Sequence, residues 1–285
     1  MQLDSKPGTL YIVGTPIGNL EDMTFRAVRI LQTVDLIAAE DTRHTGKLLQ
    51  HFQVKTPQIS YYEHNQHQRL PELLNQLKRG KAIALVTDAG MPGISDPGYE
   101  LVKACAEENI AIVPIPGASA SITALSASGL ATDRFIFEGF LPTKGQARQD
   151  LLEAFKTESR TIILYEAPHR VRQTLGDFAQ ILGTERQIVF ARELTKLHEE
   201  FWRGTIGEAV TYYANREPQG EFTIVLAGAQ LEAPLLSEEA IKTELQQLIN
   251  QGISRSQASR QLAQQTSLSR RQIYQLALTI PGLNL

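Results

Sequence analysis

Residues 10–25, LYIVGTPIGNLEDMTF, decide the architecture. An apolar, β-branched run enters a loop carrying Gly14, Pro16 and Gly18, crosses a polar turn and starts a helix. A strand buried on both faces of a parallel sheet reads this way. A dinucleotide fold would place G-x-G-x-x-G at this loop, whereas here it is Gly14-Thr-Pro-Ile-Gly18. Pro16 also removes a backbone donor that a pyrophosphate would use. No Gly-Lys-Ser/Thr follows, so the loop is not a P-loop. It is either a tight strand-to-helix turn or the frame of a pocket for another ligand.

Outward from this loop the first half of the chain alternates strand and helix patterns. Strands are expected at 9–14, 36–39, 58–61, 83–87 and 111–115, and helices at 25–33, 66–78 and 98–107. This alternation predicts a parallel sheet covered on both faces, with ligands beyond the carboxyl ends of the strands. Residues 114–130, PIPGASASITALSASGL, read as a hinge followed by a close-packed helix of small residues. A second α/β unit follows, with strands at 135–138, 161–165, 187–191, 199–204 and 222–227 and helices at 146–156, 168–182 and 206–213. The link between 187–191 and 199–204 is too short for a crossover helix, which predicts an antiparallel pair in a mixed sheet. Residues 232–237 read as a linker. The tail is helical, with capping-box patterns at Ser254–Gln257 and Ser269–Gln272 after a longer helix at 238–250. Three domains are expected: 1–116, an α/β domain with a parallel sheet; 117–231, an α/β domain with a mixed sheet; and 237–285, a helix-turn-helix-like bundle.

Composition narrows the function. The 285 residues carry a net charge of −3, so nucleic-acid contact would come from local patches. Cys105 is the sole cysteine, which excludes an intramolecular disulfide and a thiolate metal site and suits a reducing cytoplasm. The start, MQLDSKPG, lacks the apolar run of a secretory signal, and no stretch approaches the ~18–20 apolar residues of a membrane span. A soluble, cytoplasmic protein is expected. His64 and His67 lie three apart without a thiolate or H-E-x-x-H pattern, so a solvated helix start is expected there and no metal.

Two further loops join the first. Residues 86–102, VTDAGMPGISDPGYELV, crowd three glycines, two prolines and two aspartates between a strand and a helix. A long turn with Asp96 capping the helix accounts for Asp96 alone. Residues 116–121, PGASAS, follow strand five. Three such loops at adjoining strand ends form a backbone-lined pocket, suited to a flat, neutral or weakly cationic ligand. Polar side chains gather at the same edge. AAEDTRHT puts Glu40, Asp41, Arg43 and His44 after strand two, where Asp41 or Thr42 could instead cap a helix. Asp88 ends strand four. ARELTKLHEE contributes Arg192, Lys196 and His198, or forms a charged hairpin. YEAPHR supplies Glu166, His169 and Arg170.

The ordered segments GTLYIVGTPIGNLEDMT, AAEDTRHT, TDAGMPGISDPG, PIPGASA, LYEAPHR, ARELTKLHE and GEFTIVLAG resemble the RsmI family, the ribosomal RNA small-subunit 2′-O-methyltransferases. The resemblance runs from Gly8 to Gly228, and the helical tail matches the family's extra domain. It implies the two-domain tetrapyrrole-methylase-like (class III) α/β fold and a homodimer. It implies S-adenosylmethionine (SAM) held between the halves. The implied substrate is the ribose 2′-hydroxyl of a cytidine in the decoding region of 16S rRNA. By that resemblance the donor would contact Pro16, Gly90, Met91, Ile94, Ser119, Ala120, Tyr165, Glu166, Phe222 and Thr223. A ribose hydroxyl must lose its proton during attack, which asks for a base or a cation near the cleft. Asp41, Arg43, Asp88 and Lys196 are the candidates. RNA contacts are expected from Arg192 and His198 and from Arg255, Arg260, Arg270 and Arg271, which lie in a tail segment without acidic residues. Lys144 and Arg148 are expected on the rim. So modest a basic surface suits a preassembled 30S subunit as substrate. The competing readings are a precorrin-type small-molecule methylase and a ligand-sensing DNA-binding regulator.

Overall fold

The opening run becomes β1 (Thr9–Val13), buried along its whole length. In the computed structural model, which describes residues 5–230, 237–263, 266 and 268–280, β1 pairs in parallel with β4 (Ile83–Val86) and β5 (Ala111–Ile115). β2 (Leu36–Ala39) and β3 (Gln58–Ser60) complete a parallel sheet of order β3-β2-β4-β1-β5. The period of two sorts the side chains. Tyr11, Val13, Ile37 and Ala84 meet α1 (Phe25–Thr33) and α2 (Thr42–His51) on one face. Leu10, Ile12, Leu36 and Ile83 meet α3 (Gln66–Lys78) and α4 (Tyr99–Glu107) on the other. Cys105 is fully buried in this second layer, and burial pushes its thiol up to about 11. α2 escapes the apolar pattern because it buries little beyond Thr45 and Leu49.

The second sheet has the order β6-β7-β10-β8-β9: β6 (Phe135–Phe140), β7 (Thr161–Glu166), β8 (Gln187–Arg192), β9 (Glu200–Thr205) and β10 (Phe222–Leu226). β6 and β7 are parallel and the other pairs antiparallel, so the sheet is mixed. β6 outruns its expected end because the register shifts between Phe137 and Gly139, where Gly139 takes φ 62° and lets the strand bulge and continue. α6 (Gln146–Phe155), α7 (Val171–Leu182) and α8 (Ile206–Ala214) cover one face. The expected helix at 168–182 is a 3₁₀ turn, Pro168–Arg170, leading into α7. α5 (Ala120–Ser128) lies on the other face, where Ala124 and Leu125 pack with Ile163, Val189, Val225 and Ile17. Ile17 belongs to the opening loop, so that loop is wedged against the second sheet.

The chain divides into two compact units, Met1–Ala229 and Gln230–Leu285, the first holding both sheets. The second contains α9 (Glu238–Asn250), α10 (Arg255–Ala263) and α11 (Arg270–Thr279) around Ile241, Leu245, Leu262 and Ile273. Ser269 and Gln272 form a reciprocal capping box at α11. The linker read at 232–237 falls, except for Ser237, outside the described residues, as do residues 1–4 and 281–285. No helix among the described residues is long and apolar enough to cross a membrane.

Candidate active site

The three glycine loops meet at one point. Thr15 and Gly90 exchange backbone hydrogen bonds at 2.9 and 3.1 Å, and the Gly14 N–H donates to the Ile115 carbonyl at 3.1 Å. A Cβ on Gly14 would stand 2.6 Å from the Met91 sulfur and 2.7 Å from Gly117 Cα. Only paired glycines allow backbones this close, so the loops after β1, β4 and β5 pack as one backbone surface. Gly90 also takes φ 78°, where other residues are strained.

Two adjoining cavities flank this knot. The first, about 360 Å³, is within the ~300–1,000 Å³ of small-molecule sites. Gly90, Met91 and Ile94 line one side, Ser119 and Ala120 another, and Tyr165, Glu166, Phe222 and Thr223 come from the second sheet. Every residue expected at the donor therefore lines it except Pro16, which lines the neighbouring cavity. Its lining contains no lysine, arginine or histidine. Ser119 precedes α5 but makes no side-chain cap, and its hydroxyl lies 3.1 Å from that of Ser121. Tyr165 sits edge-on to Phe137 with ring centres 4.9 Å apart, and burial raises its pKa despite hydrogen bonding to Ser121. The Glu166 carboxylate is already engaged. It accepts from the Thr174 hydroxyl at 2.6 Å and the Ala167 N–H at 3.0 Å, and it pairs with Arg170 at 3.2 Å.

The second cavity, about 590 Å³, is lined by Pro16, Gly18, His44, Asp88 and Lys196, among others, and shares Ile17, Ala89 and Glu221 with the first. The Asp88 N–H donates to the Glu40 carboxylate, and Asp88 Oδ1 accepts from the Asp41 N–H, both at 3.2 Å. Lys196 lies 3.0 Å from both Glu193 and Glu221. Burial works against its charge, but the bonds to these carboxylates outweigh it and raise its pKa, so it stays an ammonium. The hairpin carrying it is braced on the opening loop: the Asn19 N–H donates to the Thr195 hydroxyl at 3.0 Å, and a Cβ on Gly18 would meet Lys196 Cγ at 2.5 Å.

Other expected residues are occupied elsewhere. Asp41 caps α2, accepting from the Arg43 N–H at 2.7 Å and from its guanidinium at 2.7 and 3.1 Å. The Arg43 side chain and backbone hold the Asp41 carboxyl far below its usual range, a poor setting for a base. Arg192 donates to the carbonyls of Gln219 and His198, while His198 is exposed. Arg255 donates to the Ile280 carbonyl at 2.7 Å and so serves the end of the three-helix unit, while Arg260, Arg270 and Arg271 are exposed. Arg148, expected on the rim, is instead 4% exposed, bound to Asp177, Thr174 and the Pro142 carbonyl. Asp96 is not the cap of α4; Gly98 occupies that position, and Asp96 lines the first cavity. Burial, then the charges of Glu40 and Asp88, push it up to about 7. Sequence reasoning missed Ile17, Phe140 and Glu221 as lining residues. Only the Ile17 position, between Pro16 and Gly18, carried a signal.

Residues 9–210 match the family described as Tetrapyrrole (Corrin/Porphyrin) Methylases. A Synechocystis protein named ribosomal RNA small subunit methyltransferase I is 63% identical over 96% of this chain and 98% of its own. A protein of the same name from Halalkalibacterium halodurans is 47% identical over 96% of each chain. Among solved structures, uroporphyrin-III C-methyltransferase from Thermus thermophilus, described as complexed with S-adenosyl homocysteine, superposes with a TM-score of 0.56 at 17% identity, covering 76% of this chain and 96% of that one.

Proposed function

Since the chain belongs to the tetrapyrrole methylase family, and within it to the ribosomal RNA small subunit methyltransferase I family, we propose that it methylates the ribose 2′-hydroxyl of a cytidine in the decoding region of 16S rRNA, using SAM. We take the working form to be a homodimer, as the family resemblance implies, acting in the cytoplasm on the assembled 30S subunit, as the lone cysteine and the modest basic surface suggest. The observation that carries the reading is the pair of cavities meeting at Ile17, Ala89 and Glu221. One suits the donor and the other holds groups that act on a hydroxyl.

The first cavity fits SAM by its chemistry. It offers loop backbone that a Cβ would obstruct, the aromatic rings of Tyr165 and Phe222, the hydroxyls of Ser119 and Thr223, and no cationic side chain to compete with a sulfonium. Gly90, Met91, Ile94, Ser119 and Ala120 would hold it from the first sheet's side. When bound, SAM supplies an activated methyl group. Lining the acceptor cavity, Asp88 is the carboxylate suited to take the hydroxyl proton. Asp41 and Arg43 fix the start of α2, which brings His44, Thr45 and Lys47 to the same wall. Lys196, held charged, stabilises negative charge on the acceptor oxygen or an adjoining phosphate. Alignment of this kind contributes on the order of 7–11 kcal/mol in favourable cases.

Incubation with radiolabelled SAM and 30S subunits tests the reading. Label recovered in 16S rRNA as an alkali-resistant dinucleotide is expected. Label in a tetrapyrrole alone, or in no acceptor, overturns it, and equal rates on free 16S rRNA overturn the preference for the particle.

A further inference from the structure

A third cavity, about 580 Å³, lies between the segment joining β3 to α3 and the start of α4. Glu40, Glu63, Asp96 and Glu100 line it together with Tyr62 and Tyr99, and no lysine or arginine does. Both tyrosines are open to solvent, Tyr62 by 40% and Tyr99 by 63%. Tyr62 is positioned, since Asn65 Oδ1 accepts from its N–H at 2.8 Å and His64 meets its ring edge-on. Ser95 and Asp96 also line the donor cavity, so the two share a wall.

Four carboxylates against a single histidine, His64, make the lining repel a phosphate. Among the described residues no group of three or more histidine, cysteine or acidic side chains is arranged to hold a metal ion. The cavity suits a flat ring that stacks on tyrosine and turns an amino edge toward carboxylates. Carboxylates accept from the cytosine amine in this way, and single-stranded RNA bases are commonly held by stacking plus contacts to the base edge. Glu40 and Asp96 fit the same picture: burial raises both above the ordinary carboxylate range and neighbouring acids add to the rise, so a bound amino donor would favour their charged forms.

We propose that this cavity receives an unstacked nucleobase bearing an exocyclic amine, from the rRNA segment whose ribose occupies the acceptor cavity. The inference rests on the rRNA reading above.

The test compares wild type with Tyr62→Ala, Tyr99→Ala, Tyr99→Phe and Glu63→Gln/Glu100→Gln, using unmethylated 30S subunits and, separately, free 16S rRNA. Calorimetric SAM affinity provides the control for folding. Each Tyr→Ala change should raise KM for the rRNA substrate about tenfold, with SAM affinity unchanged, while Tyr99→Phe behaves as wild type. The double Gln variant should weaken both substrates. Unchanged KM in the Tyr→Ala variants, or tighter binding by the Gln variant, overturns the inference and leaves the parent reading intact. Weakening on subunits but not on free rRNA assigns the cavity to a basic protein segment and overturns it as well. Wild-type enzyme that labels no rRNA overturns both.

Discussion

Asp88 and Asp96 are separated by eight positions in one loop, yet their surroundings assign them different work. Asp88 borders the cavity proposed for the acceptor, with one oxygen held by the Asp41 N–H. Asp88→Asn should lower kcat by about 10²-fold or more without changing SAM affinity, read by single-turnover methylation beside calorimetry. Parallel loss of SAM binding would move Asp88 to the donor. For Asp96 the consequence is in stability. Its pKa is about 7 folded and near 4 unfolded, so the native state keeps a proton that the unfolded chain has lost between those values. Its contribution is present below pH 4 and disappears as pH rises through 7. Asp96→Asn should therefore raise Tm at pH 8 by a few degrees, on the order of 1 kcal/mol after solvent screening, with the gain shrinking toward pH 4. An equal gain at both pH values would rule this out. Of the two, only Asp88 was legible as a candidate base. Asp96 resembled a cap because its Ser-Asp-Pro-Gly setting is turn chemistry, and what shifts it is burial, then the charge of Glu40, far from it in sequence, and that of Asp88 across the loop.

The second sheet's cavity wall depends on how β7, α6 and α7 are tied together. Arg148 on α6 reaches Asp177 and Thr174 on α7, and Thr174 in turn donates to Glu166 at the end of β7. Removing Arg148 would strand buried polar groups. Arg148→Ala should destabilise by about 3–5 kcal/mol in chemical denaturation, and Asp177→Ala in the same chain should recover part of it. Simple additivity would show that the pair is not coupled. Periodicity exposed the elements themselves. The starts and ends of α1, α3 and α9 and the whole of β2 and β5 follow from apolar spacing. This polar tie was invisible because its bonded pairs lie 8–29 positions apart and share no local pattern. α2 was legible only as an alternative reading at its Asp41 cap, since it buries little beyond Thr45 and Leu49.

At the scale of the whole molecule, charge is nearly balanced, so under the proposed reading electrostatic affinity for RNA rests on a few placed arginines. Arg260 and Arg271 are exposed on the three-helix unit. If they meet phosphates, replacing both by alanine should flatten the dependence of log affinity on log salt by about 1.4–1.8, measured with 30S subunits, while SAM affinity stays fixed. An unchanged slope would assign the helical unit to another task. The sealed position of Cys105 has a practical consequence. A thiol enclosed in the first sheet's core, with its ionisation suppressed, is silent toward maleimide at neutral pH. A cysteine introduced at Leu197, which is 93% exposed on the hairpin beside Lys196, would be the single reactive handle. A fluorophore there could report ribosome approach without any background-stripping substitution.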